Sequence, residues 1–431
     1  MNYDVIVIGG GLAGLTSAIR CAEAGLKTVV ISAGESSLAF ASGSIDVLGI
    51  NQSNQPVEFP FEEIALLPAE HPYQKIGSRS LKQGLSFFSE QMTSENITMA
   101  HNEQKNHGRL TALGAVRPTW LSQTGTKQLP INQPLDVIKK IAVVNIAGFR
   151  DFQPELVIAG MKRNPMFANN AFNWADISPE TLGIAVRNPY ELRSLELART
   201  LKRDLFNKPN GMNIFASALQ KAARNADLVV IPSVLAVERG NALIAELEQL
   251  TGLSICEVAS LPPSLPGMRL ASALKARFSK FGGILLEGDD VISGQFSDNQ
   301  LQSITTRLNP TTPLAAKHFV LATGSFFSKG LSSNRSELTE SVFNLSVNSE
   351  PSREQWSNDR FIDGQHSFTT TGIRTDNLLN PYREDETISN LYCAGAVLSG
   401  FNPVREASAG GVAIATGWFA ASQIIAKQSA V

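Results

Sequence analysis

Gly9, Gly11 and Gly14 stand at the spacing G-x-G-x-x-G, with Gly10, Leu12 and Ala13 completing the run. In such a turn the first glycine permits a tight reversal and the second lets backbone approach a phosphate. The third lets the following helix pack closely on the strand. The chemistry implied is the holding of a nucleotide or flavin phosphate. A site that also grips an adenosine ribose usually has a carboxylate about 20 residues beyond the glycines. Here that place is Ser32, followed by Ala33 and Gly34, and Glu35 comes late. Hydroxyls at Ser32, Ser36, Ser37, Ser42 and Ser44, with Gly43 between the last two, suit phosphate and ring contacts better. This favours FMN, with FAD as the alternative if Glu35 is drawn in by a longer strand.

These residues need a frame. Residues 3–8 (YDVIVI) and 27–31 (KTVVI) read as strands buried on both faces. Between them Leu12, Leu15, Ile19 and Ala22 share a helical face, and Gly25 stands at the C-cap. The pattern returns late in the chain. A helix over 266–281 leads to a strand over 284–287, a hairpin turning at Asp298-Asn299, and a strand over 318–324 ending in Ala-Thr-Gly. A last strand over 391–393 meets Gly395-Ala396, and a loop runs to Gly410-Gly411 at the start of an uncharged helix. Thr323, Gly324, Gly395, Ala396, Gly410 and Gly411 therefore join the cofactor candidates. The free N–H groups at that helix start suit an electron-rich ring carbonyl. Between these parts, helices are expected over 80–91, 152–161 and 194–204, and strands within 109–120 and 136–146. The expected fold is α/β. A discontinuous, three-layer Rossmann-like domain (residues 1–55, 262–335 and 385–431) carries an inserted α+β domain (56–261 and 336–384).

Composition narrows the function. The chain has 431 residues, 43% of them hydrophobic, and a formal net charge of −2. Length and apolar content suffice for a large core, and the balance of charge argues against nucleic-acid binding. The three cysteines, Cys21, Cys256 and Cys393, lie far apart. That argues against an iron–sulfur cluster or a metal site built from this chain alone. No signal peptide is expected, because the first strand begins at once. Residues 407–426 carry no charge over a bilayer-spanning length, but their glycines and hydroxyl residues favour a helix buried in a core.

DVIVIGGGLAGL, LATG and NLYCAGAVLSGF…GGVAIATG together resemble the flavoprotein group of succinate dehydrogenases and fumarate reductases. LAFASGSIDVLG, LPPSLPGMRL, ATGSFFSKGL and AGAVLSGFNP are more specific, and resemble the B subunits of bacterial anaerobic glycerol-3-phosphate dehydrogenases over essentially the full chain. The resemblance implies oxidation of sn-glycerol 3-phosphate to dihydroxyacetone phosphate, with electrons passed to the quinone pool during growth on fumarate or nitrate. It implies a FAD-containing A subunit and an iron–sulfur, membrane-anchoring C subunit as partners, with FMN in the B subunit. It also implies a peripheral location at the cytoplasmic face of the inner membrane.

Oxidising a secondary alcohol needs a base for its proton and a cationic anchor for its phosphate. His366 is the expected base, with Arg374 and Arg405 as the other catalytic candidates near the closing glycines. Because they form no recognisable constellation, a flavin-bearing electron-transfer or assembly subunit is the competing expectation. A self-contained fumarate-reductase-like enzyme is a further one.

Overall fold

The computed structural model describes residues 2–186, 192–238, 240–360 and 366–429. Its main elements, in chain order, begin with β1 (Asn2–Ile8), α1 (Leu12–Glu23), β2 (Thr28–Ser32), α2 (Pro72–Thr93), β3 (His107–Leu110) and β4 (Val116–Thr119). The middle of the chain supplies β5 (Lys140–Ile146), α3 (Pro154–Lys162), β6 (Ala171–Ile177), α4 (Gly211–Ala223), β7 (Leu228–Pro232), α5 (Gly240–Thr251) and β8 (Ser254–Val258). The last part supplies α6 (Leu265–Lys280), β9 (Ile284–Glu287), β10 (Val291–Ser297), β11 (Gln300–Thr306), β12 (Leu314–Leu321), β13 (Leu391–Cys393) and α7 (Ala409–Ser429).

The seven-stranded first sheet runs β9-β2-β1-β12-β11-β10, with β13 also pairing β12. Its centre is parallel, Val5–Ile8 matching Thr28–Ile31 on one side and His318–Leu321 on the other. The chain leaves β1 toward β2 on one side and returns as β12 on the other. The carboxyl end of β1 is therefore a topological switch point, where parallel sheets open a crevice. Val5, Ile6 and Val7 are fully buried, as strands covered on both faces require.

α7 carries no acidic residue and is long and apolar enough to cross a membrane by length and composition. Its apolar side chains are engaged within the protein: Val412, Ile414, Ala415, Ala420, Ala421 and Ile424 are fully buried. α1 and α2 pack against it. A Cβ placed on Gly84 of α2 would lie 3.1 Å from the Cα of Ala415, so these two helices touch nearly backbone to backbone.

Two expectations need correction. The second sheet, β8-β7-β5-β6, is parallel at every pairing. With α3, α4 and α5 packed around it, the inserted unit is α/β rather than α+β. It also has narrower limits than 56–261 and 336–384. Its apolar core runs from Leu110 to Val258. Ile64, Tyr73, Phe88, Trp120 and Leu121, and later Phe343, Leu345, Ile373 and Leu379, join the core of the first sheet. α2 accounts for the first of these groups: it is kinked at Gly77, its longer part beyond that residue covers the expected 80–91 segment, and it lies along α7.

Candidate functional site

The opening turn lies at the switch point. Gly9 has φ +114°, and a Cβ there would sit 2.2 Å from the carbonyl oxygen of Ala322 at the end of β12. One on Gly14 would fall 1.9 Å from the carbonyl oxygen of Gly9, and one on Gly10 would fall 2.7 Å from Ser32 Oγ. These three are glycine because protein occupies the space. Gly11 differs: a Cβ there would meet nothing within 4 Å. It is the N-cap of α1, no side chain caps that end, and the first turn has no acidic residue. Unfulfilled N–H groups and the positive end of the helix dipole thus face open space, which is an anion-binding arrangement.

The other glycine segments close around this turn. Ala322 N–H donates to Ile8 and Gly395 N–H to Thr416 Oγ1 (2.8 and 2.9 Å). A Cβ on Gly395 would lie 2.8 Å from that of Ala13. At the start of α7, Gly411 N–H donates to the carbonyl of Asp46 at 2.8 Å. The most specific sequence stretches also meet. Ser264 N–H donates to Ala39 at 2.7 Å, and Gln123 Nε2 donates to both Gly43 and Pro266 (3.2 and 2.8 Å). Phe40 and Phe327 stack edge to face with centroids 5.2 Å apart.

The hydroxyls expected to serve a cofactor are mostly engaged locally. Ser32 is buried and donates to Gly34 at 2.9 Å. Ser36 Oγ accepts from Leu38 N–H and Ser42 Oγ from Ser44 N–H, each at 3.3 Å. Ser44 Oγ and Thr323 Oγ1 are different, being inaccessible to solvent and without a protein partner. Glu35 is exposed.

The catalytic candidates are dispersed. His366 Nδ1 accepts from Asn358 N–H at 3.2 Å, and its carbonyl accepts from Thr369, whose hydroxyl in turn accepts from Asn402 Nδ2. That chain links it to the 402–408 loop, which also carries the exposed Arg405. Arg374 points elsewhere, paired with the exposed Asp385 at 2.6 Å and stacked over Tyr382.

Sequence reasoning missed several buried polar groups beside the start of α7. His71 is 1% exposed, accepts from Tyr73 N–H through Nδ1 and meets Glu406 Oε2 at 3.2 Å through Nε2. Tyr73 donates its hydroxyl to Val47 at 2.8 Å, and burial raises its pKa well above the ordinary phenol value. His107 Nε2 lies 2.8 Å from Ser122 Oγ, and burial with the adjacent Arg109 cation lowers its pKa to about 4. Arg109 is only 9% exposed, yet no protein acceptor among the described residues takes a hydrogen bond from it. One local signal was available: Gly114 stands between the two short strand-like stretches, where a hairpin must turn.

An open Gly11 at an uncapped helix, with unpartnered hydroxyls at Ser44 and Thr323, fits a flavin. Comparison with known proteins agrees. The model of the family described as FAD binding domain matches residues 4–412. The chain is 41% identical over 440 residues to the B subunit of anaerobic glycerol-3-phosphate dehydrogenase from Aliivibrio fischeri strain MJ11, covering 99% of this chain and 96% of that one. It is 36% identical to the subunit of the same name from Yersinia enterocolitica, covering 99% and 98%. An open-conformation flavocytochrome c3 fumarate reductase structure overlaps at TM-score 0.45 and 9% identity, covering 99% of this chain and 78% of that one. On full-length identity to the curated relatives, the chain belongs to the flavoprotein family of anaerobic glycerol-3-phosphate dehydrogenase B subunits.

Proposed function

We propose that this chain is a flavoprotein subunit that oxidises sn-glycerol 3-phosphate to dihydroxyacetone phosphate and passes the electrons through partner subunits to quinone. The single observation that carries the flavin reading is Gly11, open on its Cβ side at an uncapped helix N-terminus. The names of the full-length relatives supply the substrate. FMN is the flavin proposed, because β2 ends in Ser32, whose hydroxyl donates to Gly34, and Glu35, the one carboxylate within residues 33–45, is exposed. The partners proposed are a FAD-containing A subunit and an iron–sulfur C subunit that anchors the complex to the inner membrane. Fumarate or nitrate is the proposed terminal acceptor.

When bound, the flavin supplies an acceptor for the hydride that leaves the carbinol carbon. The chain supplies the rest. The first-turn N–H groups of α1 hold phosphate, and the start of α7 presents positive dipole to anionic charge near residues 43–47. His366 is the proposed base for the hydroxyl proton, its ring oriented by Asn358 N–H. The test uses the purified complex. Flavin released by denaturation of this chain should chromatograph as FMN, and anaerobic glycerol 3-phosphate should bleach the bound flavin. His366→Ala should abolish bleaching with flavin retained; unchanged kinetics would remove His366 from the mechanism.

The pairing of Arg374 with Asp385 favours one second reading, an electron-transfer subunit whose partner oxidises the alcohol. In that case the isolated chain keeps its flavin but glycerol 3-phosphate never bleaches it.

A further inference from the structure

Arg109 and Arg117 are directly opposed across the β3–β4 hairpin. Opposed residues in an antiparallel pair project from the same face, so two guanidinium groups share one side of this ribbon. No ion pair to either is present among the described residues, and Arg117 only reaches the Val404 carbonyl at 3.5 Å. Arg109 is the more unusual of the two. Its Nε is inaccessible to solvent and unpartnered, and no other N–H of its guanidinium donates to protein among the described residues. The Asp46 carboxylate is an opposite charge that acts on it, but no hydrogen bond joins the two. A buried guanidinium without hydrogen-bond acceptors is costly, and such groups are ordinarily satisfied.

The hairpin places this cation against the candidate site. Ile45 N–H donates to Leu121 at 2.8 Å, and Thr119, opposite His107, donates its hydroxyl to Ile45 at 3.3 Å. Asp46 follows Ile45, with an Oδ1 that is inaccessible and unpartnered, and Ser44 Oγ is in the same state. The Asp46 carbonyl takes the Gly411 N–H at the start of α7. Unpartnered donors and acceptors thus surround one helix start. This place is distinct from the opening turn: Gly417, six residues further along α7, is the one that touches Ala13, and six helical residues span about 9 Å.

We propose that Arg109, assisted by Arg117, binds the phosphate of a small phosphorylated alcohol, as a specificity-determining group separate from the flavin phosphate site at α1. The inference rests on the glycerol 3-phosphate reading above. Arg109 offers the planar, bidentate donors that a phosphate dianion matches, and its Nε is withdrawn from solvent.

The test is isothermal titration of the full flavin-loaded chain with glycerol 3-phosphate and, separately, with inorganic phosphate. Wild type should bind both. Arg109→Met should weaken both by about 100-fold with flavin content unchanged, and Arg117→Gln by about five-fold. If Arg109→Met fails to fold, Arg109→Lys keeps the charge without the fork and should still weaken glycerol 3-phosphate about ten-fold, as loss of a charged hydrogen bond does. Wild-type affinity in either Arg109 variant would overturn the assignment. Loss of flavin together with loss of binding would also overturn it, by placing Arg109 at the cofactor. Absence of glycerol 3-phosphate bleaching in the wild-type complex would defeat the proposed function instead, while the phosphate titration would still decide Arg109.

Discussion

Both sheets of this protein are parallel at the centre, and each has a switch point beside its first strand, β1 in one and β5 in the other. Parallel sheets bind ligands at such points, but the two are finished differently. At the end of β1 the backbone closes in on itself around Gly9 and Gly14 and leaves Gly11 open. Between β5 and β7 the corresponding place is filled by Ile146, Ile177, Phe215, Leu219 and Pro232, leaving a cavity of about 10 Å³, room for roughly one water. The nearby helix start is also taken. A Cβ on Gly240, the first residue of α5, would lie 2.2 Å from Arg269 Cζ. That guanidinium makes a two-pronged pair with Glu257 at 2.6 and 2.8 Å, and both residues are buried. The same architecture yields a ligand cradle or a packed joint according to what stands at the strand ends. Fold alone does not decide it.

Breaking the packed joint should have the largest effect. Arg269→Met leaves Glu257 as an unpaired buried carboxylate and should cost about 3–5 kcal/mol in denaturant unfolding, with much of this recovered by adding Glu257→Leu. Equal stability of the single variant and wild type would show that the pair does not join the two units. Gly14→Ala should come next. Its new methyl meets the Gly9 carbonyl, so about 1–3 kcal/mol should be lost along with flavin.

A smaller effect should appear with pH. Burial holds His107 at about 4 in the folded chain against an ordinary value of 6.5. The unfolded chain therefore binds the extra proton first. The contribution is complete above pH 6.5 and is lost as pH falls toward 4. Melting temperatures recorded across that window should decline, and His107→Gln should flatten the decline. The smallest stability effect belongs to Gly11→Ala, below about 1 kcal/mol, because nothing stands within 4 Å of the new methyl. Flavin content should nonetheless fall sharply. A variant that keeps its flavin would break the contrast between Gly11 and Gly14.

Much of the first sheet was readable in advance. The β1–turn–α1–β2 unit, the hairpin at Asp298-Asn299 and the uncharged run of α7 up to Ala426 follow from periodicity, glycine spacing and turn residues that act within a few positions. The placing of α2 was not readable, since its polar and apolar residues make sense only against α7. The α+β expectation for the insertion failed for a related reason. Short apolar runs such as LVVIP (Leu228–Pro232) do not reveal whether their neighbour runs parallel or antiparallel.

For the site, the sequence by itself determined which glycines turn the chain at the end of β1, because glycine's lack of a Cβ is a local property. Which glycine faces ligand and which faces backbone was decided only when β12 arrived beside β1. The same holds for the charged groups. Nothing in RLTALGAVR distinguishes Arg109 from any surface arginine. Its burial arises in the tertiary packing that brings Asp46 into range of it, and solvent exclusion is a property of the assembled chain rather than of any segment in it.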